Sequence, residues 1–416
     1  MKVLIAGAGI AGLVLALKLQ RMGIEVEVFE TSREIRPLGV GINLLPHAVA
    51  VLESIGLRDA VAEKAIETSS LQYFNKFGQP VWSEPRGLAA GYPVPQFSVH
   101  RGEFQVLLYQ TAVERLGADA IRLGHSFAGF TQDAGGVTVT LRREDGSTVE
   151  ARGDVLVGAD GIHSAVRKAL YPDDAPTRFA GRMLWRGVTE TTPFLDGRTM
   201  FMAGHQDQKF VCYPISEPLR REGRSRINWI AELRVPGDTP PRTDWNKKVD
   251  KSVFSGAFAD WNWDWIDIPA VIEGATAVYE FPLVDRDTLP KWTFGRVTLM
   301  GDAAHAMYPI GSNGSAQAIV DAAYFAECFG LLQQKRLSSI EHALLEYEAD
   351  RLPKTTGIVL RNRLNGPEQV MQVAEERAPE GFAGSVEEVI PRAELEEIAA
   401  RYKRVAGFDV ERLRTV

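Results

Sequence analysis

A short apolar run, Val3-Leu4-Ile5-Ala6, passes without a spacer into Gly7-Ala8-Gly9-Ile10-Ala11-Gly12, and residues 13–22 continue as an apolar stretch. A brief unbroken apolar run of this kind makes a buried parallel strand, and the longer stretch after the glycines makes a helix. Gly7 permits the tight turn, Gly9 lets a pyrophosphate approach the backbone, and Gly12 lets the helix pack closely on the strand. The helix N-terminal N–H groups then face the phosphates. Gly23 ends the helix, and residues 25–30 alternate as a second strand that closes on Glu30, eighteen residues after Gly12. A carboxylate there accepts both hydroxyls of an adenosine ribose, which suits FAD or NAD and disfavours NADP. Three glycines alone mark only a tight strand–helix turn. Strand, helix, second strand and terminal acid together predict a dinucleotide site built on Gly7, Gly9, Ala11, Gly12 and Glu30. The run does not read as a secretory leader: residues 3–17 number about 15, below the ~20 that span a bilayer, and glycines interrupt them.

A chain of 416 residues exceeds what one core usually supports, so two subdomains or more are expected. Its 47 Lys and Arg against 54 Asp and Glu leave a net charge of −7, which offers no general grip on nucleic acid phosphates and no anchor for anionic lipid. Cys212 and Cys328 form no metal or redox motif, and the His residues contain no HxxxH pair, so no metal site is expected. These features predict a cytoplasmic enzyme, a monomer or homodimer, that binds neither nucleic acid nor membrane.

Two later stretches extend the nucleotide theme. Asp154-Val155-Leu156-Val157-Gly158-Ala159-Asp160-Gly161 reads as a buried strand and a turn. Val297-Thr298-Leu299-Met300-Gly301-Asp302 is another strand delivering an aspartate, followed by a glycine-punctuated loop, 306–315, and a helical run, 316–334. An aspartate at the C-terminal end of a parallel strand points into the crevice where open α/β sheets bind ligands. Successive N–H groups in a loop before a helix form an anion site.

With its GxGxxG, DG and GD motifs in this order, the sequence resembles the single-component FAD-dependent aromatic hydroxylases, the group of p-hydroxybenzoate and salicylate hydroxylases, over roughly residues 1–360. The resemblance implies an α/β fold: a Rossmann-like FAD-binding domain with a parallel sheet and helices, interleaved with an antiparallel-sheet substrate domain and followed by a helical tail. We place the FAD-binding domain at 1–72, 97–180 and 278–362, the substrate domain at 73–96 and 181–277, and the tail at 363–416. By the same resemblance, Glu30 holds the adenosine ribose, Val40, Gly41 and Ile42 line the flavin, and Arg101 meets the phosphate–ribityl region. Asp302 would accept a ribityl hydroxyl. Asp160 would support FAD and a transient nicotinamide cofactor. The backbone of Gly311, Ser312, Asn313, Gly314 and Ser315 would donate to the N1–C2 edge of reduced flavin. The implied reaction consumes NADH or NADPH and O2, and hydroxylates the ring through a flavin C4a-hydroperoxide. A single dinucleotide fingerprint fits this group, since its members bind NAD(P)H transiently.

Longer runs, among them residues 34–43, 82–87, 185–190 and 282–287, are similar to the branch of the group that hydroxylates phenazines. That likeness implies a flat, electron-rich aromatic or N-heteroaromatic substrate, phenazine-like or phenolic. Aromatics in the substrate segments (Tyr73, Phe74, Trp82, Trp185, Phe201, Phe210, Tyr213, Trp229) suggest a sheet covering the flavin, with strand alternation committing about half of them to plain core. Tyr213 and Met200, with Pro309 on the loop, are the pocket candidates, and His47 is a candidate base for a phenol; His305 is expected to pack beneath the loop. Trp261-Asn262-Trp263-Asp264-Trp265-Ile266-Asp267-Ile268-Pro269 nearly spells the WxWxIP motif of flavin-dependent halogenases, but the Ile-Pro pair falls one residue late, so packing is the reading. A halogenase, or a flavoprotein reductase or dehydrogenase without oxygen transfer, remains the alternative. Residues 386–405 suggest a surface helix that covers the substrate entrance or a partner subunit.

Overall fold

A computed structural model describes residues 1–237, 239–240 and 247–406, with side chains described up to 401. The last ten residues of the expected tail therefore lie outside the described residues. The apolar runs read from the sequence assemble one five-stranded, all-parallel sheet. Its order is Val297–Leu299, Val155–Gly158, Lys2–Ala6, Glu25–Glu30 and Ile121–Leu123. Val3, Leu4, Ile5, Val155, Leu156 and Val157 are wholly buried, as a parallel sheet covered on both faces requires. Helix Ile10–Arg21 packs on it, against helix Gly314–Gln333.

The fingerprint glycines differ in what they need. A Cβ on Gly7, at φ +106°, would lie 2.4 Å from the Ala159 carbonyl oxygen, and one on Gly12 would lie 2.0 Å from that of Gly7. Those two are required by the protein's own packing. A Cβ on Gly9 would meet nothing within 4 Å. Its space is left for something else.

An eight-stranded sheet forms the second layer, in the order Lys247–Val249, Val278–Asp285, Arg178–Thr191, Ser225–Arg234, Gln208–Pro214, Thr199–His205, Ser70–Phe74, Pro80–Pro85. It is antiparallel except where Thr199–His205 runs parallel to Ser70–Phe74. Strand Val278–Asp285 pairs with Arg178–Thr191, so the boundary placed at 278 moves beyond 285, and strands begin at 70 and 178 rather than 73 and 181. The expected boundaries followed aromatic content, whereas sheet membership follows hydrogen-bonded pairing, which local composition does not carry.

Strand alternation divides the aromatics. Phe74, Trp185, Phe201, Phe210 and Trp229 join the outer core with Phe254, Phe258 and Trp261. Tyr73, Met200 and Tyr213 face the inner core. The tryptophan-rich run is a two-strand hairpin, Asn262–Trp263 with Ile266–Asp267, followed by helix Ile268–Glu273. Trp261, Trp263 and Trp265 stack in series at 5.5 and 5.3 Å, and Phe74 lies 4.6 Å from Trp265. This is packing on the outer face.

The tail is more than a surface helix. Helix Arg392–Ala406 buries Leu395, Ile398 and Ala399 against Ile340–Asn362 and Gln369–Arg377, and closes the inner core around Met200 and Tyr213. Its charged outer face dominates the composition, which hides the buried stripe.

Candidate active site

A small antiparallel sheet, Gly41–Leu44 with Phe97–His100 and Ile66–Glu67, joins the two layers. It sets Arg101 where two clefts meet. One cleft, about 950 Å³, is lined by Gly7, Gly9, Glu30, Arg101 and Asp160 at the ends of the parallel strands. The other, about 1030 Å³, lies between the inner face of the large sheet and the loop before Gly314. Gly41, Ile42, Arg101, Met200, Tyr213, Asp302, Pro309, Ser312, Gly314 and Ser315 all line it. Ala11, Gly12, Val40 and Asn313 are not on these walls, and Gly311 faces a smaller space shared with Ser312 and Ala399.

In the first cleft, Glu30 is pinned by two backbone donors: Ala8 N–H to Oε2 at 2.9 Å and Ser32 N–H to Oε1 at 2.8 Å. Asp160 accepts from the N–H groups of Ala165 at 2.7 Å and Val166 at 3.2 Å, and from the Ser164 hydroxyl. It therefore orders the start of helix Ala165–Leu170 while lining the cleft. Burial pushes its pKa up, against those donors.

In the second cleft, Gly301 stands as the residue before helix Asp302–His305, so Asp302 is not that helix's cap. Its exposed carboxylate makes no hydrogen bond to a described side chain or backbone group. The loop turns on Gly311 at φ +68° and Ser312 at φ +58°, then enters helix Gly314–Gln333. A left-handed serine costs on the order of 1 kcal/mol or more, and Asn43 Nδ2 steadies it by donating to Ser312 Oγ at 3.1 Å. The helix start, with Gly314 and Ser315 on the cavity wall, presents free N–H groups and the positive end of a helix dipole.

Beneath this loop is a buried network absent from the sequence reading. Arg351 donates to Asp321 Oδ1 at 2.8 Å and to Gln317 Oε1 at 2.6 Å. Gln317 donates to Asn313 Oδ1 at 3.3 Å, and Asn313 to the Gly311 carbonyl at 3.1 Å. His305 Nε2 lies 2.6 Å from Asp321 Oδ2, so His305 does pack below the loop. Burial would raise the Asp321 carboxyl, but His305 and Arg351 outweigh it and hold it at about 2. The signal was faint: single polar residues within apolar helices.

His47 is a correction. It sits in the first turn of Pro46–Ser54, its Nε2 3.5 Å from Gln317 Nε2, and it does not line the cavity. Burial, with the Arg351 charge adding to it, pushes the imidazole down to about 3. A base that weak does not take a phenol proton. The sequence reading made it a base for a phenol, whereas the helix buries this face away from the cavity.

Tyr213 does reach the cavity, and burial pushes its phenol up to about 12. Gly41 is tucked against it: a Cβ there would lie 2.7 Å from the tyrosine ring and 2.6 Å from Asn228 Cβ. Gly41 N–H donates to Asn228 Oδ1 at 2.7 Å, and Arg186 Nη2 donates to the Gly41 carbonyl at 3.1 Å. Asn228 and Arg186 thus lock strand Gly41–Leu44 to the large sheet. They were missed because each looks like an ordinary polar strand residue. At the far end of the cavity stand Lys209, Glu232 and Glu368, also missed.

These residues fit FAD. The Cβ positions of Gly9, Gly161 and Gly314 open onto empty space along the clefts, as a cradle for a bound group requires. Among the described residues no cluster of His, Cys, Asp and Glu could hold a metal ion, and no helix is long and apolar enough to cross a membrane.

Known proteins resemble this chain in sequence and fold. The chain is 45% identical to the phenazine 1,6-dicarboxylic acid hydroxylase PhzS of Lysobacter antibioticus over 87% of its own length and 89% of the relative's. It is 32% identical to a 3-amino-4-hydroxybenzoate 2-monooxygenase of Streptomyces platensis, covering 88% of each. A salicylate hydroxylase solved as a substrate complex has the same fold, with a TM-score of 0.74 at 23% identity, covering 100% of this chain and 97% of that one. The model of the FAD binding domain matches residues 1–362, and the chain belongs to that family.

Proposed function

We propose that this protein is an FAD-dependent monooxygenase that consumes NAD(P)H and O2 to hydroxylate an electron-rich, flat aromatic or N-heteroaromatic ring. The observation that carries this reading is the pair of clefts joined at Arg101. One suits the dinucleotide, while the other has an apolar floor of Leu184, Val211 and Ile230 opposite Pro309. FAD, when bound, supplies electron storage and oxygen activation, which no side chain can provide. The chain's residues do the rest. Glu30 and Arg101 would hold the adenosine and phosphate portions, and Asp302 would accept a ribityl hydroxyl. The N–H groups at the start of helix Gly314–Gln333 would stabilise negative charge on the flavin's edge. Tyr213, un-ionised below about 12, offers a hydroxyl donor at the ring's edge. The large sheet and the tail turn that carries Glu368 would shield the ring site from water when it is filled. The two aligned relatives are named for acting on phenazine 1,6-dicarboxylic acid and on 3-amino-4-hydroxybenzoate, which supports a flat ring with polar substituents.

The test is oxidation of NADH and NADPH by the purified yellow protein, with and without phenazines and phenols, following H2O2 and product together. Substrate-stimulated oxidation with little peroxide is the expected result. Oxidation that no ring stimulates sinks the proposal and favours a reductase; halogenated product in the presence of chloride favours a halogenase.

A further inference from the structure

The end of the cavity remote from Gly41 is closed by charges that the chemistry above does not use. Lys209 and Glu232 face each other across strands Gln208–Pro214 and Ser225–Arg234. Lys209 Nζ lies 2.9 Å from Glu232 Oε2 and 2.5 Å from Glu368 Oε2, and Arg182 Nη1 donates to Glu232 Oε1 at 3.1 Å. All four side chains are less than a tenth exposed. Hydrophobic residues in place of such a cluster are often as stabilising or more so, so stability is a weak reason for its presence.

Its geometry suggests recognition. Lys209, Val211 and Tyr213 alternate on one face of their strand, as do Asn228, Ile230 and Glu232 on the next, giving a floor about 13 Å long at ~3.3 Å per residue. The floor is apolar in the middle and polar at both ends. Glu368 descends onto it from the turn Gly366–Glu368 in the tail. Its Oε2 is held by Lys209, while its Oε1 has no hydrogen-bond partner among the described residues. A carboxylate oxygen that opens onto a cavity wall from an otherwise buried, oriented side chain is an acceptor awaiting a donor.

We propose that Glu368, positioned by Lys209, is the specificity-determining acceptor for an O–H or N–H on the edge of the ring substrate. The substrate class is then a hydroxy- or amino-substituted aromatic ring, an assignment that rests on the monooxygenase reading above. An incoming carboxylate suits the site poorly, because Glu232 and Glu368 already surround the Lys209 ammonium. Burial pushes the Glu368 carboxyl upward against the pull of Lys209, and a donor reaching Oε1 favours the ionised form. A donor bonded to a carboxylate also releases electron density into its ring, the direction that attack by an electrophilic oxygen requires.

The experiment uses the FAD-loaded, full-length protein and its Glu368→Gln variant. Dissociation constants for 1-hydroxyphenazine, 1-methoxyphenazine and phenazine-1-carboxylate are read from perturbation of the flavin spectrum. The hydroxy ring should bind the unmodified protein about tenfold or more tighter than its methyl ether, the worth of a hydrogen bond to a charged group. Glu368→Gln should erase or invert that preference while FAD content stays unchanged. An equal preference in both proteins overturns the assignment, as does a preference for the carboxylate that Lys209→Met abolishes. If Glu368→Gln does not fold, Glu368→Asp must weaken the hydroxy ring alone, and failure to do so also overturns it. Rings that stimulate NAD(P)H oxidation with no Glu368 dependence sink only this assignment. Rings that neither bind nor stimulate sink the monooxygenase reading with it.

Discussion

The two clefts meeting at Arg101 are built in opposite ways. The dinucleotide cleft rests largely on glycine turns and strand ends, each specified by its own neighbours in sequence, with Glu30 itself held by main-chain N–H groups. The ring cavity is made of side chains from separate elements, brought together by sheet register and by the tail. A backbone site tolerates little change in any one residue yet accepts a ligand common to a whole family. A side-chain site can change its ligand without disturbing the fold, which is why fold alone does not determine substrate.

Four substitutions sharpen or break that contrast. The largest effect is expected from Gly12→Val, whose Cβ would lie 2.0 Å from the Gly7 carbonyl oxygen. It should yield colourless, FAD-free protein destabilised by ~3 kcal/mol or more, checked by absorbance and thermal melting. Next comes Gly41→Ala, which drives a methyl into Tyr213 and Asn228. Flavin should stay bound while ring-stimulated oxidation falls up to about a hundredfold, the cost of misplacing reactants by an ångström.

Gly9→Ala separates ligand from fold. Its Cβ meets no protein atom within 4 Å, so the melting temperature of the apoprotein should hold. FAD affinity, by titration, should fall about tenfold or more, an overpacking penalty of ~1–3 kcal/mol felt only with the ligand present. An apoprotein melting well below the parent would show that the cradle is part of the fold after all.

The smallest effect on catalysis is expected from His47→Gln, with turnover at pH 7 within about threefold because the imidazole is outside the cavity. Its effect belongs to stability. The folded value of about 3 lies below the ordinary 6.5, so the unfolded chain takes up the extra proton between them. Stability tied to neutral His47 is complete above pH 6.5 and declines as pH falls toward 3, and Gln should flatten that decline. Urea midpoints at pH 7 and 5 check this; loss of turnover with an unchanged acid limb would restore His47 as a base.

Legibility followed the same division. Gly7, Gly9, Glu30, Asp160 and Asp302 were readable because each stands at a fixed offset from a strand that its own neighbours specify. The loop 311–315 was readable because its glycines precede a long apolar helix. Arg186, Asn228, Lys209, Glu232 and Glu368 carried no such signal. Each is one polar residue in an amphipathic segment, and its meaning lies in a partner up to 187 positions away, as with Gly41 and Asn228. His47 shows the error in the other direction: proximity in sequence to Gly41 and Ile42 suggested a shared site, and one helical turn rotated it out of reach.

By itself, then, the sequence determined the glycine turn after the first strand, the parallel sheet and the family, because turn geometry and short apolar strands are local physics. Tertiary structure decided which face each aromatic shows, that strand Val278–Asp285 belongs to the large sheet, and that the tail brings Glu368 to Lys209. Those outcomes depend on pairing register and on burial shared between distant segments, and no single stretch of chain encodes either.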